Sequence, residues 1–169
     1  MLAPFVLLFL VFSVYPVLAS LRLSFMRYNA ICNPKQAPCG SVGFSNYTTL
    51  ILDDHRFHKA LLNTTLYVIG AVILGMMASL SLALSLQLDT KSNRILRVIF
   101  FLPSVTSGVA IVLVWGWVFR GDDVGLLNSL LSHFGIGKVE WLATPSLALP
   151  VLIFMSIWGG AGFGMILFL

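Results

Sequence analysis

One short stretch of this 169-residue sequence carries the side chains of a metal enzyme. In DDHRFHKALLNTT, residues 53–65, Asp53 and Asp54 precede His55 and His58, and carboxylates with imidazoles are the types that bind zinc. A metal-dependent membrane enzyme working from the Asp53–His58 cluster is therefore one reading of the chain. The same residues fit a helix start, because two acidic residues ahead of a periodic segment accept from its first N–H groups and complement its dipole. Asn46-Tyr47-Thr48 and Asn63-Thr64-Thr65 match the N-glycosylation pattern, which arises often by chance and matters only in a eukaryotic secretory pathway. Cys32 and Cys39 form a candidate disulfide if their loop faces an oxidising compartment. The chain has no Walker A sequence, so any active movement of a solute must draw its energy from a partner.

The elements that would position these residues are membrane helices. Only 9% of the residues are charged, against about 25% in an ordinary soluble domain. Met1–Leu21, Ala60–Leu88, Val98–Phe119 and Trp141–Leu169 contain no Asp, Glu, Lys or Arg. Each is long enough for a membrane helix of roughly 20 residues, and none shows the two-residue alternation of a barrel strand. The chain reads as an all-α, polytopic membrane helix bundle with spans near 2–24, 62–87, 98–119 and 145–169. The first span is too long for a cleaved signal core and has no basic residue before it.

Charge alone orients these spans ambiguously. With a cytoplasmic N-terminus, the inner loop Leu88–Arg97 holds Lys91, Arg94 and Arg97, while Arg22, Arg27, Lys35, Arg56, Lys59, Arg120 and Lys138 fall outside. The raw count favours the reverse orientation, whereas the density of cations in the short inner loop favours this one. Between Asp122 and Gly137, Leu126, Leu127, Leu130, Leu131 and Phe134 recur at helical spacing opposite Asn128, Ser129 and Ser132. That pattern predicts either an amphipathic helix along the interface or a buried loop helix. Trp115, Trp117 and Trp141 suit an interfacial belt; Trp158 lies near the middle of its span and must pack in the bundle or border a cavity.

Four stretches taken together resemble one family. GFSNYTTLILDDHRFHKALLNTTLYV is similar to the entry into the second core helix of sugar-type permeases of binding-protein-dependent ABC transporters. The matching positions are Gly43, Asn46, Tyr47, Phe57, Ala60, Leu61, Asn63 and Thr64. RILRVIFFLPSVTSGVAIVLVWGWVF resembles the family's third helix, with Phe101, Leu102, Pro103 and a late Trp115. GLLNSLLSHFG matches its G-x-x-N-x-x-L loop helix through Gly125, Asn128 and Leu131, and residues 141–169 resemble the helix that leads to the cytoplasmic coupling loop.

The resemblance implies four helices of an incomplete six-helix permease core and a chain that stops before the E-A-A coupling loop. It implies a bacterial inner-membrane protein with a cytoplasmic N-terminus, which places Cys32 and Cys39 outside. The implied partners are a second permease subunit, two cytoplasmic ATPases, an extracytoplasmic solute-binding protein, a small-molecule solute and membrane lipid, with no nucleic acid. The chain would be no enzyme and hold no cofactor, ATP being used by the partner subunits. The implied function is a solute pathway for a sugar or related polar solute; a structural membrane subunit without transport is a further alternative.

The glycine-rich end, IWGGAGFGMILFL, carries the candidate pathway. At 100° per residue Ser156, Gly160 and Phe163 share one helix face, and Trp158 points elsewhere. A hydroxyl, a gap and an aromatic ring suit a sugar, whose hydroxyls need hydrogen bonds and whose C–H faces need a flat apolar surface. In the resembled family the matching positions contribute to the solute path. The competing reading is packing, with Gly160 and Gly164 as a small-x-x-x-small pair that admits a neighbouring helix.

Overall fold

A computed structural model describes residues 2–27 and 40–169. Cys32 and Cys39, the candidate disulfide, lie outside the described residues. The chain divides into two units, Met1–Leu61 and Leu62–Leu169. Among the described residues the regular structure is helical, with one isolated antiparallel bridge between Met26 and Ser41.

In the first unit, α1 (Ala3–Phe9), a π-helical turn (Leu10–Val14) and α2 (Tyr15–Ser24) form one continuous helical segment. The wide turn sits just ahead of Pro16, which has no N–H to give, and Tyr15 reaches back instead to the Leu10 carbonyl. Helix α3 (Ser45–Leu52) is tied to the end of α2 by Asn46, whose Nδ2 donates to the carbonyls of Ser24 at 2.8 Å and Met26 at 3.1 Å. Tyr47 hydrogen-bonds the Ser24 hydroxyl at 2.6 Å, and Phe25 packs edge-on to Phe44. The Asn46 amide is thus committed to a corner of the fold, which accounts for the Gly43–Asn46–Tyr47 element without glycosylation. Helix α4 (His55–Ser85) starts at the end of this unit and continues through most of its length in the second.

The second unit adds α5 (Lys91–Val105), α6 (Gly108–Val118), α7 (Leu126–Ser132) and α8 (Pro145–Phe168). Thr90 caps α5 by accepting from the Asn93 N–H, and Arg97 donates to the Leu86 and Gln87 carbonyls, answering acceptors freed where α4 ends. Helix α8 packs chiefly on α5. Ala83, Leu86 and Met165 form one buried cluster; Trp115, Phe119 and Val151 form the other.

Among the described residues three helical stretches are long and apolar enough to cross a membrane: Ala3–Ser24, His55–Ser85 and Pro145–Phe168. Where the sequence predicts one span over 98–119, the structure has two helices, α5 and α6, which together are long and apolar enough for a fourth span but are bent by 97°. Pro103 removes one backbone donor, and the Ser104 and Thr106 hydroxyls take the Phe101 and Leu102 carbonyls. Side chains that answer helix carbonyls let the backbone leave the helix, here through extended Thr106 and Ser107.

Candidate functional site

Ser156 lies on α8 where that helix meets α4. Its hydroxyl donates to the Leu152 carbonyl one turn back at 3.0 Å and pairs with the Tyr67 hydroxyl of α4 at 2.5 Å. With the serine proton given to Leu152, the tyrosine is the donor to Ser156. A cleft of about 410 Å³ opens on one side of this pair, lined by Tyr67, Ile111, Trp115, Leu152, Met155 and Ser156. That is the upper cleft; on the other side, toward Leu169, a lower cleft of about 400 Å³ runs along α4 and α8, with Ala71, Gly75 and Ser79 facing Ser156, Gly160 and Gly164. Both fall within the size range of small-molecule sites, roughly 300–1,000 Å³.

The glycines of α8 divide between packing and space. A Cβ on Gly162 would strike the Phe100 carbonyl of α5, and one on Gly164 would strike the Ser79 hydroxyl of α4. Those two glycines are where neighbouring helices come close. A Cβ on Gly160 would meet nothing within 4 Å, because that residue faces the lower cleft. Of the small-residue pair read from the sequence, only Gly164 packs, and the second close approach belongs to Gly162. Phe163 does not line the cleft: it sits on the adjacent side of α8 with 54% of its surface exposed. The structure therefore brings Ser156 and Gly160 together and leaves Phe163 beside them.

A third cleft, about 520 Å³, lies against the break between α5 and α6. Thr106 of the broken segment lines it with Pro103, Phe154 and Trp158. Trp158 does border a cavity, and its ring meets Trp115 edge-on at 5.2 Å. Non-helical backbone at membrane depth persists only where protein covers it or a cavity adjoins it.

The proteins this chain is similar to are transport proteins. No family model matches the chain. It is 35% identical over 170 residues to YesP of Bacillus subtilis (strain 168), a probable ABC transporter permease, covering 99% of this chain and 52% of the relative. The chain is 29% identical to AraP of the same organism, the permease of an arabinooligosaccharide transport system, over 99% of this chain and 51% of AraP. Its fold matches a bacterial ABC transporter that imports the acidic polysaccharide alginate, with a TM-score of 0.78 and 25% identity over 99% of this chain and 54% of that one. The chain belongs to the ABC transporter permease family. It spans about half the length of the curated relatives it matches.

Family membership as a multi-pass membrane protein leaves the loop clusters as structural devices. Asp54 Oδ1 accepts from the N–H groups of Arg56 at 2.8 Å and Phe57 at 3.1 Å, so it caps α4. His58 Nε2 is bonded to the Ile51 carbonyl, and its ring lies edge-on to His55. No three His, Cys, Asp or Glu residues among those described could share a metal ion. With Asp54 and His58 engaged at the start of α4 and the relatives being transport permeases, the metal-enzyme reading of Asp53–His58 is not supported.

The loop helix decides between the two readings that its sequence pattern left open. Asn128, placed on the polar side of an amphipathic helix by its spacing, is 4% exposed. Its Nδ2 donates to the carbonyls of Arg120, Asp122 and Val139, and its Oδ1 accepts from the Val139 N–H and the Trp141 indole. One buried amide thus closes the loop between α6 and α8. A Cβ on Gly125 would strike the Arg120 carbonyl, which explains the glycine of G-x-x-N-x-x-L. Trp141 packs on Phe119, Phe119 stacks on Trp115, and Trp115 walls the upper cleft. At the loop surface Lys138 pairs with Asp123 at 2.7 Å, and this hydrogen bond and charge raise the Lys138 pKa above its ordinary 10.5.

Proposed function

We propose that this chain contributes the solute pathway of a sugar importer's permease subunit, with Ser156, Gly160 and Phe163 on the path. The observation that carries this reading is Ser156 with Gly160 on one cleft of a family member: a hydroxyl beside open space at membrane depth. Phe163, exposed on the next side of α8, would face a solute once a second permease subunit encloses the path. The proposed solute is an oligosaccharide or related polar molecule, in keeping with relatives named for arabinooligosaccharides and galactooligosaccharides and with the alginate importer. The proposed partners are a second permease subunit, two cytoplasmic ATPases and an extracytoplasmic binding protein; one solved relative is described with an alginate pentasaccharide-bound periplasmic protein. The permease would catalyse no covalent step and hold no cofactor, ATP being hydrolysed by its partners.

The proposed location is the bacterial inner membrane with the N-terminus in the cytoplasm, so that Cys32 and Cys39 face outward and can pair. Labelling of intact cells with a membrane-impermeant thiol reagent after reduction tests this; labelling only after lysis would reverse the orientation. The pathway is tested by uptake of labelled arabino-, galacto- and alginate oligosaccharides through the full-length permease with its partners. Phe163→Ala is expected to change uptake or solute preference while the assembled complex stays at its normal level. Less complex with unchanged uptake per complex would make this face a packing surface.

A further inference from the structure

We propose that the Tyr67–Ser156 hydroxyl pair is a latch between the two clefts of the α4–α8 seam, opened when the hydroxyls of a solute replace its hydrogen bond. The proposal rests on the pathway reading of Ser156 and adds Tyr67 as a residue that determines which solutes pass. Ser156 lines both clefts: Leu152 and Met155 continue the upper one toward the Pro145 end of α8, and Gly160, Gly164 and Leu167 continue the lower one toward Leu169. The pair therefore stands between two spaces stacked along the same helix. Elsewhere the seam is spaced by small residues, with Ala71, Gly75, Gly160 and Ala161 around the lower cleft.

The hydroxyl chemistry gives the latch its selectivity. The remaining lining of the upper cleft is apolar apart from the indole of Trp115, and in the lower cleft the Ser79 hydroxyl is already given to the Gly75 carbonyl on its own helix. Parting Tyr67 from Ser156 strands a phenol proton in apolar surroundings, an unfavourable state unless another acceptor takes it. A sugar hydroxyl both donates and accepts, so it can accept from the Tyr67 hydroxyl and offer its own proton to the Ser156 oxygen that Tyr67 has left. An apolar molecule offers neither. A site built to hydrogen-bond a hydroxyl discriminates strongly against an analogue without one, because the site's own polar groups are then left unpaired. Trp115 on the wall of the upper cleft adds a flat apolar surface for the C–H face of the ring.

The test uses the full-length permease with its partners and the oligosaccharide panel above. Tyr67→Phe keeps the ring and removes the hydroxyl. It is expected to raise the uptake KM about three- to tenfold, the span of one ordinary hydrogen bond. Singly deoxygenated versions of the transported sugar supply the second arm. One of them should lose uptake through the unmodified permease yet lose little more through Tyr67→Phe, since both changes delete the same bond. Unchanged KM with reduced assembled complex, or additive losses for every deoxy sugar, overturns the latch and leaves the pathway standing. If the unmodified complex moves no member of the panel, the pathway reading falls and the latch falls with it.

Discussion

Helix α8 meets α5 and α4 in different ways. Toward α5 the contact is closed at Gly162, which lies against the Phe100 carbonyl, where no side-chain atom fits. Toward α4 it is closed where Gly164 meets Ser79, where Ile153 meets Gly70 and where Met165 joins Ala83, and open around Gly160, with the Tyr67–Ser156 hydroxyl pair beside the open stretch. Glycine is thus used for contact at Gly162 and Gly164 and for volume at Gly160, within five residues of one helix. Packed apolar contact specifies a single arrangement, whereas the open stretch around Gly160, bordered by one exchangeable hydrogen bond, can accept a guest.

The contrast can be broken most sharply at Gly162. Alanine there places a methyl group on the backbone of α5, and with no flexible side chain to yield, Gly162→Ala should cost about 3 kcal/mol. The yield of folded permease in detergent and its thermal midpoint would both fall; an unchanged midpoint would show that α5 and α8 do not meet so closely. A smaller loss is expected from Asn128→Ala. It strands the Trp141 indole and the carbonyls that Asn128 serves, and after loop relaxation should cost about 2 kcal/mol. Its sharper readout is Trp141 fluorescence, which should shift to the red as the ring leaves Phe119. The smallest effect should come from Gly160→Ala. Stability should hold or rise by up to about 1 kcal/mol, because alanine favours the helix and meets no neighbour. Solute uptake would fall as the cleft narrows. Equal destabilisation by Gly160→Ala and Gly162→Ala would erase the distinction between the two seams.

Much of this was legible in the chain itself. The charge-free stretches and their lengths led directly to an all-α membrane bundle, and the four motif-bearing segments led to the permease family, to which the chain belongs. The face containing Ser156 and Gly160 followed from helical geometry. The break at Thr106–Ser107 did have a signal, in Pro103 followed by Ser104, Thr106, Ser107 and Gly108, but apolarity over 98–119 masked it. The pattern around Asn128 left a wet face and a buried loop helix equally open, because a polar side chain at helical spacing fits both. Its flanking Gly125 was the better clue, since a glycine at a helix start often marks close backbone approach.

By itself the sequence determined which segments avoid water and turn helical, because hydrophobicity and the need to pair backbone groups in lipid are local properties of each stretch. It likewise determined that one face of the last helix carries both a hydroxyl and a gap. Only the tertiary structure decided which of four closely spaced glycines touches another backbone, which lines open space, and that the partner of Ser156 is a tyrosine 89 positions earlier. The physical reason is that helical periodicity sets the direction of each side chain about its own axis but carries no information on which helix lies in that direction, or how near.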